Sequence, residues 1–148
     1  MDLKNIIRTI PNYPIDGVLF RDITTVLKDK EALRKSVDEI TKSLEKIEFD
    51  YVLGPESRGF IFAMPIAYNM NKGFIPVRKA GKLPAETISK EYDLEYGSAV
   101  LEIHKDAIKK GDKVIIVDDL LATGGTCKAI IELVESIGAE VVSLNFFI

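Results

Sequence analysis

The sequence predicts an α/β fold in which a parallel sheet is flanked by helices. Two observations lead to this fold class. Short, continuous apolar runs end at Gly, Pro or Asp residues, and stretches with helical apolar spacing alternate with these runs. Continuous apolar strands are typical of parallel sheets, because helices cover both faces of such a sheet.

The first half of the chain contains two predicted helices and two predicted strands. Apolar residues recur every three or four positions over residues 30–47, which predicts an amphipathic helix. The apolar run at 51–53 stops at a Gly-Pro pair and predicts a buried strand. A buried helix is predicted at 60–70 and a second strand at 74–77. Residues 78–91 show no regular period and receive no assignment.

The second half continues the same alternation. Partial alternation over residues 92–103 predicts strands with one solvent-facing side. The run at 114–117 is the clearest buried strand, and residues 128–137 carry a helical apolar stripe that Gly138 ends. A last strand is predicted at 141–148. No repeat or linker interrupts this pattern, so we expect a single domain over residues 1–148.

The composition narrows the functional classes. The chain has 148 residues, of which 47% are hydrophobic and 29% charged, as in ordinary folded domains. A net charge of -3 gives no overall basic field that would point to nucleic acid or to an anionic membrane, so any anionic ligand must be held by a local site. No apolar segment is long enough for a signal peptide or a membrane span. The single cysteine, Cys127, suits a reducing compartment, so we expect a cytoplasmic protein without nucleic-acid or membrane partners.

The segment VIIVDDLLATGGT at residues 114–126 carries the clearest chemical signal. A buried strand ends at two acids, and a loop of small and hydroxylated residues then leads into a helix. Ligands of open parallel sheets bind beyond the carboxyl ends of the strands, where this loop must lie. Backbone N–H groups of such a loop and the following helix N-terminus bind phosphate. The predicted phosphate-binding residues are Ala122, Thr123, Gly124, Gly125 and Thr126.

The two acids in this segment, Asp118 and Asp119, need a separate explanation because carboxylates repel phosphate. One explanation is that the phosphate belongs to a ribose, whose 2′ and 3′ hydroxyls would donate hydrogen bonds to the two carboxylates. The other is that the two carboxylates hold a metal ion indirectly. The spacing matches neither the Walker A motif nor a dinucleotide fingerprint. The residues alone also leave open a buried strand followed by an ordinary helix N-cap.

The string VIIVDDLLATGGT resembles the phosphoribosyl pyrophosphate-binding signature of type I phosphoribosyltransferases. Four further segments are similar to the adenine phosphoribosyltransferase family: YPIDGVLFRDIT, GPESRGFIFA, VRKAGKLPAET and YDLEYGSAVLEIHKDAI. The resemblance implies transfer of a phosphoribosyl group from phosphoribosyl pyrophosphate to adenine, giving AMP and pyrophosphate. It also implies a homodimer, a flexible hood at about residues 84–100, and Mg²⁺ held mainly by substrate and water rather than directly by the protein.

The resemblance assigns a role to each site residue. Asp118 and Asp119 address the ribose hydroxyls, and the loop after them binds the 5′-phosphate. The residues implied in pyrophosphate binding are Glu56, Ser57, Arg58, Arg78, Lys79 and Lys82, and the family often has a cis peptide at Glu56–Ser57. From the residues alone, an ion pair for Arg58 and a solvated loop for the other cations stay open.

The base and the proton transfer also receive residues from the resemblance. Phe20 and Leu120 would enclose adenine, while the backbone of Val18, Leu19, Phe20 and Arg21 would contact the purine edge, with Arg21 near the active-site loops. In the hood, Glu95 is the implied catalytic acid, with Tyr96 beside it. Core packing for Phe20 and a solvated strand position for Glu95 stay open from the residues alone.

Two remaining side chains receive no catalytic role. His104 is the only histidine, so neither a His-rich metal site nor a serine-type triad is available. Cys127 follows the phosphate-loop segment in the first turn of a predicted helix, a position that favours a lowered thiol pKa.

Two departures from the family pattern qualify these expectations. Ala85 stands where the family usually has glycine, which would stiffen the hood. Family members also usually continue beyond Ile148 with an acidic residue, a turn and a Gly-Arg-containing segment, and we expect loss of that segment to weaken stability and dimerisation. The alternatives are a xanthine or hypoxanthine phosphoribosyltransferase and a catalytically weak nucleotide-binding relative.

Overall fold

The computed structural model describes residues 2–94, 97–120 and 124–148. The chain divides into two compact units, one up to Lys42 and one from Ser43 to Ile148. The prediction of a single domain over the whole chain is not decided by this division and stays a prediction. Within the described residues, no helix is both long and apolar enough to cross a membrane.

The first unit begins with a short 3-10 turn and an antiparallel hairpin, followed by helices. Strand β1 (Arg8–Pro11) pairs with β2 (Leu19–Asp22), and helices α1 (Thr24–Lys28) and α2 (Lys30–Leu44) follow. The amphipathic pattern correctly predicted α2, although it placed the end three residues too late. The hairpin was not predicted, because its short strands lack a clear alternation of apolar and polar residues.

A buried acid, Asp22, joins the hairpin to the start of α1. Its Oδ1 accepts hydrogen bonds from the N–H and the hydroxyl of Thr24, at 2.9 and 2.6 Å. The Nε of Arg8, the cross-strand partner of Asp22, donates to Oδ2 at 2.8 Å. The hydrogen bonds from Thr24, aided by Arg8, lower the pKa of Asp22 to about 2. The acid is therefore ionised at neutral pH and fixes where β2 ends.

The second unit contains a six-stranded sheet and two helices. The strands are β3 (Tyr51–Pro55), β4 (Gly73–Lys79), β5 (Thr87–Asp93), β6 (Ser98–His104), β7 (Lys113–Asp118) and β8 (Glu140–Phe146). Helix α3 (Arg58–Met70) connects β3 to β4, and α4 (Gly125–Ile137) connects β7 to β8. The spatial order is β5-β6-β4-β3-β7-β8.

Four of these strands confirm the predicted parallel sheet. Strands β4, β3, β7 and β8 pair in parallel, whereas β6 pairs antiparallel with both β5 and the end of β4. The antiparallel pair arises because β5 and β6 are joined directly as a hairpin, without a crossover helix. Residues 78–91, which received no assignment, contain the end of β4 and the beginning of β5.

One apolar cluster fills the interior of the second unit. Leu53, Val77, Ile103, Val114 and Ile130 are fully buried members of this cluster. They come from β3, β4, β6, β7 and α4, so the sheet and the helix share one core. Because such cores are densely packed, the ends of the parallel strands are held in fixed positions.

Candidate active site

The carboxyl ends of β3 and β7 lie side by side. The two strands pair in parallel, with Leu53 opposite Ile116. From β3 the chain passes through α3 to β4 on one side of it, whereas β7 and β8 lie on the other side. The loops after β3 and β7 therefore diverge at a topological switch point, where open α/β sheets bind ligands.

An ion pair crosses this switch point. The Nε of Arg58, which follows β3, lies 3.0 Å from Oδ2 of Asp119, which follows β7. The Asp119 side chain is only 6% exposed, while that of Arg58 is 45% exposed. A buried carboxylate needs such a partner, because removing an unpaired charge from water is costly. The structure thus brings a predicted pyrophosphate-binding residue into contact with a predicted ribose-binding residue.

The neighbouring acid, Asp118, has a different electrostatic environment. Its Oδ1 accepts a hydrogen bond of 2.7 Å from the backbone N–H of Asp119. Burial raises the pKa of Asp118 to about 7, the adjacent Asp119 carboxyl adds to this, and Arg58 opposes it. The carboxyl of Asp118 therefore keeps its proton to a higher pH than an ordinary aspartate.

Gly59 allows α3 to begin directly beside Asp118. A Cβ at this position would lie 2.8 Å from Cδ of Pro55 and 3.1 Å from Oδ1 of Asp118. The first distance is too short for any real Cβ, so a side chain would push the start of α3 away from the strand ends. The glycine after Arg58 is thus required by close packing, a reason that the sequence motif does not reveal.

Helix α4 begins at Gly125, three residues before the predicted start. Gly124 precedes it with φ of 82° and ψ of -1°, a left-handed conformation that favours glycine. Lys128 donates its N–H to the Gly124 carbonyl at 2.9 Å. The earlier start places Gly125 and Thr126 in the first helical turn, where the helix dipole favours an anion. Ala122 and Thr123, also predicted to bind phosphate, lie outside the described residues.

Two of the predicted cations, Arg78 and Lys79 at the end of β4, are held in place by Glu56. Its carboxylate Oε1 accepts hydrogen bonds from the N–H of Lys79 at 2.6 Å and from Nε of Arg78 at 3.3 Å. Its own N–H donates to the Val77 carbonyl at 2.9 Å. The Lys79 N–H, with Arg78 nearby, holds the pKa of Glu56 below its ordinary value. The peptide bond between Glu56 and Ser57 is cis, as the resemblance implied.

Comparison with known proteins decides the family. Residues 24–148 match the family described as phosphoribosyl transferase domain. The chain is 62% identical over 148 residues to the adenine phosphoribosyltransferase of Clostridium novyi, covering all of this chain and 86% of the relative. The similar enzyme of Lachnoclostridium phytofermentans is 57% identical over 144 residues, covering 97% of this chain and 83% of the relative.

Solved structures agree with this relationship. The crystal structure of adenine phosphoribosyltransferase from Thermoanaerobacter pseudethanolicus has a TM-score of 0.94 and 56% identity, covering 97% of this chain and 84% of that one. The Saccharomyces cerevisiae enzyme, crystallised with an imino-altritol bisphosphate and adenine, has a TM-score of 0.91 and 42% identity, covering 97% of this chain and 84% of that one. The chain belongs to the adenine phosphoribosyltransferase family. It is therefore a glycosyltransferase of purine salvage, and the predicted fold class, family and enzyme class are confirmed.

The base-binding residues that the family suggests lie in both units. Val18 comes just before β2, Leu19, Phe20 and Arg21 belong to β2, and Leu120 follows Asp119 in the second unit. Leu19 is 62% exposed. The ring of Phe20 contacts that of Tyr13 edge to face, with centroids 5.1 Å apart. A guanidinium nitrogen of Arg21 donates to the Thr9 hydroxyl at 2.6 Å. Their roles toward adenine stay predictions.

The predicted hood consists mainly of the β5–β6 hairpin, which is part of the main sheet. Lys90 of β5 forms a salt bridge of 2.9 Å with Glu132 of α4, and Tyr92 packs against the core cluster. Near the tip, Leu94 donates its N–H to the Gly97 carbonyl at 2.9 Å. The predicted catalytic residues Glu95 and Tyr96 lie outside the described residues. The base of the hood is therefore anchored through both α4 and the core.

The expectation that the thiol pKa of Cys127 is lowered was wrong. Its side chain belongs to the core cluster and is 8% exposed. Burial raises the pKa of this thiol, and the negative charge of Asp118 raises it further. The direction of the shift is therefore opposite to the one expected from the position in the first helical turn. Cys127 is a packing residue.

Sequence reasoning also missed a residue near the predicted pyrophosphate site. Glu102 of β6 accepts hydrogen bonds from Gly81, in the loop after β4, and from Thr87, the first residue of β5. The available signal was an acid between the apolar residues Leu101 and Ile103 of a predicted strand. A single acid in a half-exposed strand is usually solvated, so the pattern alone does not reveal this contact.

Proposed function

We propose that this chain transfers the 5-phosphoribosyl group from phosphoribosyl pyrophosphate to adenine, forming AMP and releasing pyrophosphate. The observation that carries the proposal is the Arg58–Asp119 contact across the switch point. This contact supports the proposal because it joins Arg58, the proposed ligand of the leaving group, to Asp119, the proposed acceptor for the ribose hydroxyls. In this reaction the bond from C1′ to the pyrophosphate oxygen breaks, the bond from C1′ to adenine N9 forms, and N9 loses its proton.

Asp118 and Asp119 accept hydrogen bonds from the ribose hydroxyls in this proposal. Both follow the buried strand β7, so their positions relative to α4 are fixed by the core. Gly124, Gly125 and Thr126 contact the 5′-phosphate at the N-terminus of α4, together with Ala122 and Thr123. The left-handed Gly124 supports this role because it lets the backbone turn closely around an anion.

Ser57 and Arg58 contact the pyrophosphate from one side, and Arg78, Lys79 and Lys82 contact it from the strand β4 side. Glu56 acts through Arg78 and Lys79, because its carboxylate and its N–H are already bonded to β4. In the structure Arg58 pairs with Asp119. Pyrophosphate carries more charge than one carboxylate and accepts the forked guanidinium well, so substrate competes for Arg58 and releases Asp119 toward the ribose.

The residues of the site fit a magnesium ion that arrives with the substrate. Among the described residues, no group of three or more His, Cys, Asp or Glu side chains could enclose a metal. Asp118 and Asp119 nevertheless offer hard oxygen acceptors at the strand ends, which suit a Mg²⁺ ion that keeps its waters and is held mainly by the substrate. When bound, the ion neutralises charge on the leaving pyrophosphate.

In this proposal Phe20, Leu120 and the backbone of Val18 to Arg21 contribute to adenine recognition, as the resemblance implies. Glu95 shares the purine proton as N9 attacks, and Tyr96 assists it; these two assignments rest on the resemblance. A closed hood keeps water from the C1′ centre, where positive charge develops.

The proposal also includes a homodimer in the cytoplasm. Exposed apolar side chains of α3, Ile61, Met64 and Tyr68, support an interface between copies. The single cysteine supports a reducing compartment.

The test is AMP formation from adenine, phosphoribosyl pyrophosphate and Mg²⁺, with hypoxanthine, guanine and xanthine in parallel reactions. We expect AMP from adenine only, and no product after the metal is chelated. Restoring Mg²⁺ in excess of the chelator serves as the control and should restore the rate.

Three other outcomes would contradict the proposal in different ways. Product from a 6-oxopurine in preference to adenine would make the chain another purine phosphoribosyltransferase. Absence of product with every base, from a folded protein that binds AMP, would make it a catalytically weak relative. Undiminished AMP formation after removal of the metal would contradict only the proposed role of Mg²⁺ and would leave the reaction itself supported.

A further inference from the structure

The carboxylate of Glu102 joins three segments of the second unit. Glu102 lies in β6, opposite Arg78 of β4. Its Oε1 accepts the backbone N–H of Gly81 at 2.8 Å, and its Oε2 accepts the Thr87 hydroxyl at 2.7 Å. One side chain thus connects β6 to the turn after β4 and to the beginning of β5.

The turn that Glu102 holds carries two of the cations proposed to bind pyrophosphate. Lys79 and Lys82 lie at its two ends, and the N–H of Lys82 donates to the Lys79 carbonyl at 3.3 Å. Gly81 has a φ of +83°, a conformation that few other residues adopt. The residues 79–82 are all solvent-exposed, so packing does little to fix them. Hydrogen bonds are therefore the main restraint on the backbone of the turn, and besides the two acids the Val100 carbonyl accepts one from the Ala80 N–H at 3.1 Å.

Two acids hold opposite sides of this basic turn. Glu56 accepts the N–H of Lys79 at 2.6 Å, and Glu102 accepts the N–H of Gly81 at 2.8 Å. Each carboxylate is engaged by donors, which lessens its repulsion of an incoming anion. The hydrogen bond from Thr87, followed by that from Gly81, lowers the pKa of Glu102 below its ordinary value. Glu102 is therefore an ionised acceptor at neutral pH.

We infer that Glu102 is a positioning residue for pyrophosphate recognition, fixing the turn at residues 79–82 so that Lys79 and Lys82 face the leaving group. The inference rests on the proposed function, in which these lysines bind pyrophosphate. Glu102 itself touches no substrate. Its loss should therefore weaken interactions with phosphoribosyl pyrophosphate and pyrophosphate while leaving adenine binding intact.

The experiment compares Glu102→Ala, Glu102→Gln and wild type in steady-state kinetics. For Glu102→Ala we expect the KM for phosphoribosyl pyrophosphate and the inhibition constant for pyrophosphate to rise about tenfold. The KM for adenine should stay within about twofold. Glu102→Gln should restore wild-type values, because its amide oxygen accepts from Gly81 and its NH₂ group donates to the Thr87 oxygen.

Glu132→Gln is the matched control. Glu132 also bonds to β5, through Lys90 at 2.9 Å, but makes that contact from α4 rather than from the turn. The control weakens the attachment of the hairpin and leaves the turn at residues 79–82 intact. We expect its KM for phosphoribosyl pyrophosphate to remain within about twofold of wild type.

A double-mutant cycle separates positioning from a general loss of structure. If Glu102 acts through the turn, Glu102→Ala should add less than about twofold to the KM effect of Lys82→Ala. Equal changes in both KM values of Glu102→Ala, accompanied by a lower melting temperature, would overturn the inference. An unchanged KM for phosphoribosyl pyrophosphate in Glu102→Ala would also overturn it.

Two further results keep the test decisive. If Glu102→Ala fails to fold, Glu102→Asp replaces it, because the shorter side chain cannot reach Gly81 and Thr87 together. A rise of the same size in the KM for phosphoribosyl pyrophosphate would then support the inference. An unchanged KM would overturn it. Wild-type protein that forms no AMP would refute the proposed function itself. Active wild type with an unaffected Glu102→Ala variant would refute only the role of Glu102.

Discussion

Two adjacent carboxylates in one motif differ because of what each contacts. Asp119 is paired with Arg58 at 3.0 Å, whereas Asp118 accepts a backbone N–H and has its pKa raised to about 7 by burial. A raised pKa means that the folded protein keeps a proton that the unfolded chain releases above about pH 4. The free energy of unfolding therefore falls as pH rises from about 4 to about 7, and the full penalty persists at higher pH.

Asp118→Asn should accordingly stabilise the protein while reducing its activity. At about pH 8 we expect the free energy of unfolding to rise by about 2 kcal/mol, a figure discounted for the part of the carboxyl that water still screens. At about pH 3 the variant and the wild type should be equally stable, because the Asp118 carboxyl of the wild type is then protonated and carries no more charge than the amide in the variant. Turnover should fall by at least about a hundredfold, because the ribose loses a charged acceptor. Denaturant unfolding at both pH values and an AMP assay measure these effects.

The control is Asp106→Asn, at an exposed position on the surface of the same unit. It should change neither the pH dependence of unfolding nor the rate. A destabilised Asp118→Asn at about pH 8 would contradict the assignment of Asp118 as a carboxyl that burial disfavours. Full activity in that variant would contradict its role in ribose binding.

At the scale of elements, the start of α3 depends on a close approach that only glycine permits. A Cβ on Gly59 would lie 2.8 Å from the Pro55 ring and 3.1 Å from the Asp118 carboxylate. Gly59 follows Arg58, so displacement of the helix start would also move the guanidinium away from Asp119. Packing of one element against another thus sets the geometry of the ion pair.

Gly59→Ala should therefore reduce both stability and activity. Overpacking of this kind costs about 1–3 kcal/mol, which denaturant unfolding would detect. The KM for phosphoribosyl pyrophosphate should rise about tenfold or more, because a small displacement of positioned groups is costly. Asn69→Ala, an exposed substitution in the same helix, is the control and should leave both quantities unchanged. A wild-type KM in Gly59→Ala would show that Arg58 does not depend on this packing.

At the scale of the whole molecule, the outer face of α3 supports the proposed homodimer. Ile61, Met64 and Tyr68 recur at helical spacing and are 38%, 49% and 85% exposed in the single chain. A contiguous apolar stripe on a surface helix is typical of an interface.

We expect light scattering to give twice the 16.5 kDa mass of one chain. The double substitution Met64→Glu and Tyr68→Glu should shift the protein to the mass of one chain, since it would place charges in the interface. Lys46→Glu, at an exposed position, changes the net charge by the same amount and should leave the dimer intact. A monomeric wild type would contradict the homodimer, and a dimeric double variant would place the interface elsewhere.

Local patterns in the sequence determined the parallel strands and the helices between them, and they led to the prediction of a phosphate-binding loop after β7. These features depend on apolar periodicity and on residue types at strand ends, both of which can be read along the chain. The family resemblance added the cis peptide at Glu56–Ser57, which the structure has, and the role of this loop in pyrophosphate binding, which stays a prediction.

Contacts between distant segments were decided only by the tertiary structure. Arg58 and Asp119 are 3.0 Å apart because β3 and β7 are neighbours in the sheet, an arrangement that the order along the chain does not specify. The hydrogen bond between Gly81 and Glu102 also joins segments whose contact the order along the chain does not specify. For Cys127, burial in the folded chain raises the thiol pKa, opposite to the shift that the sequence predicted. Residue type and spacing determine which groups are present, whereas their charge state and partners depend on burial and on strand order.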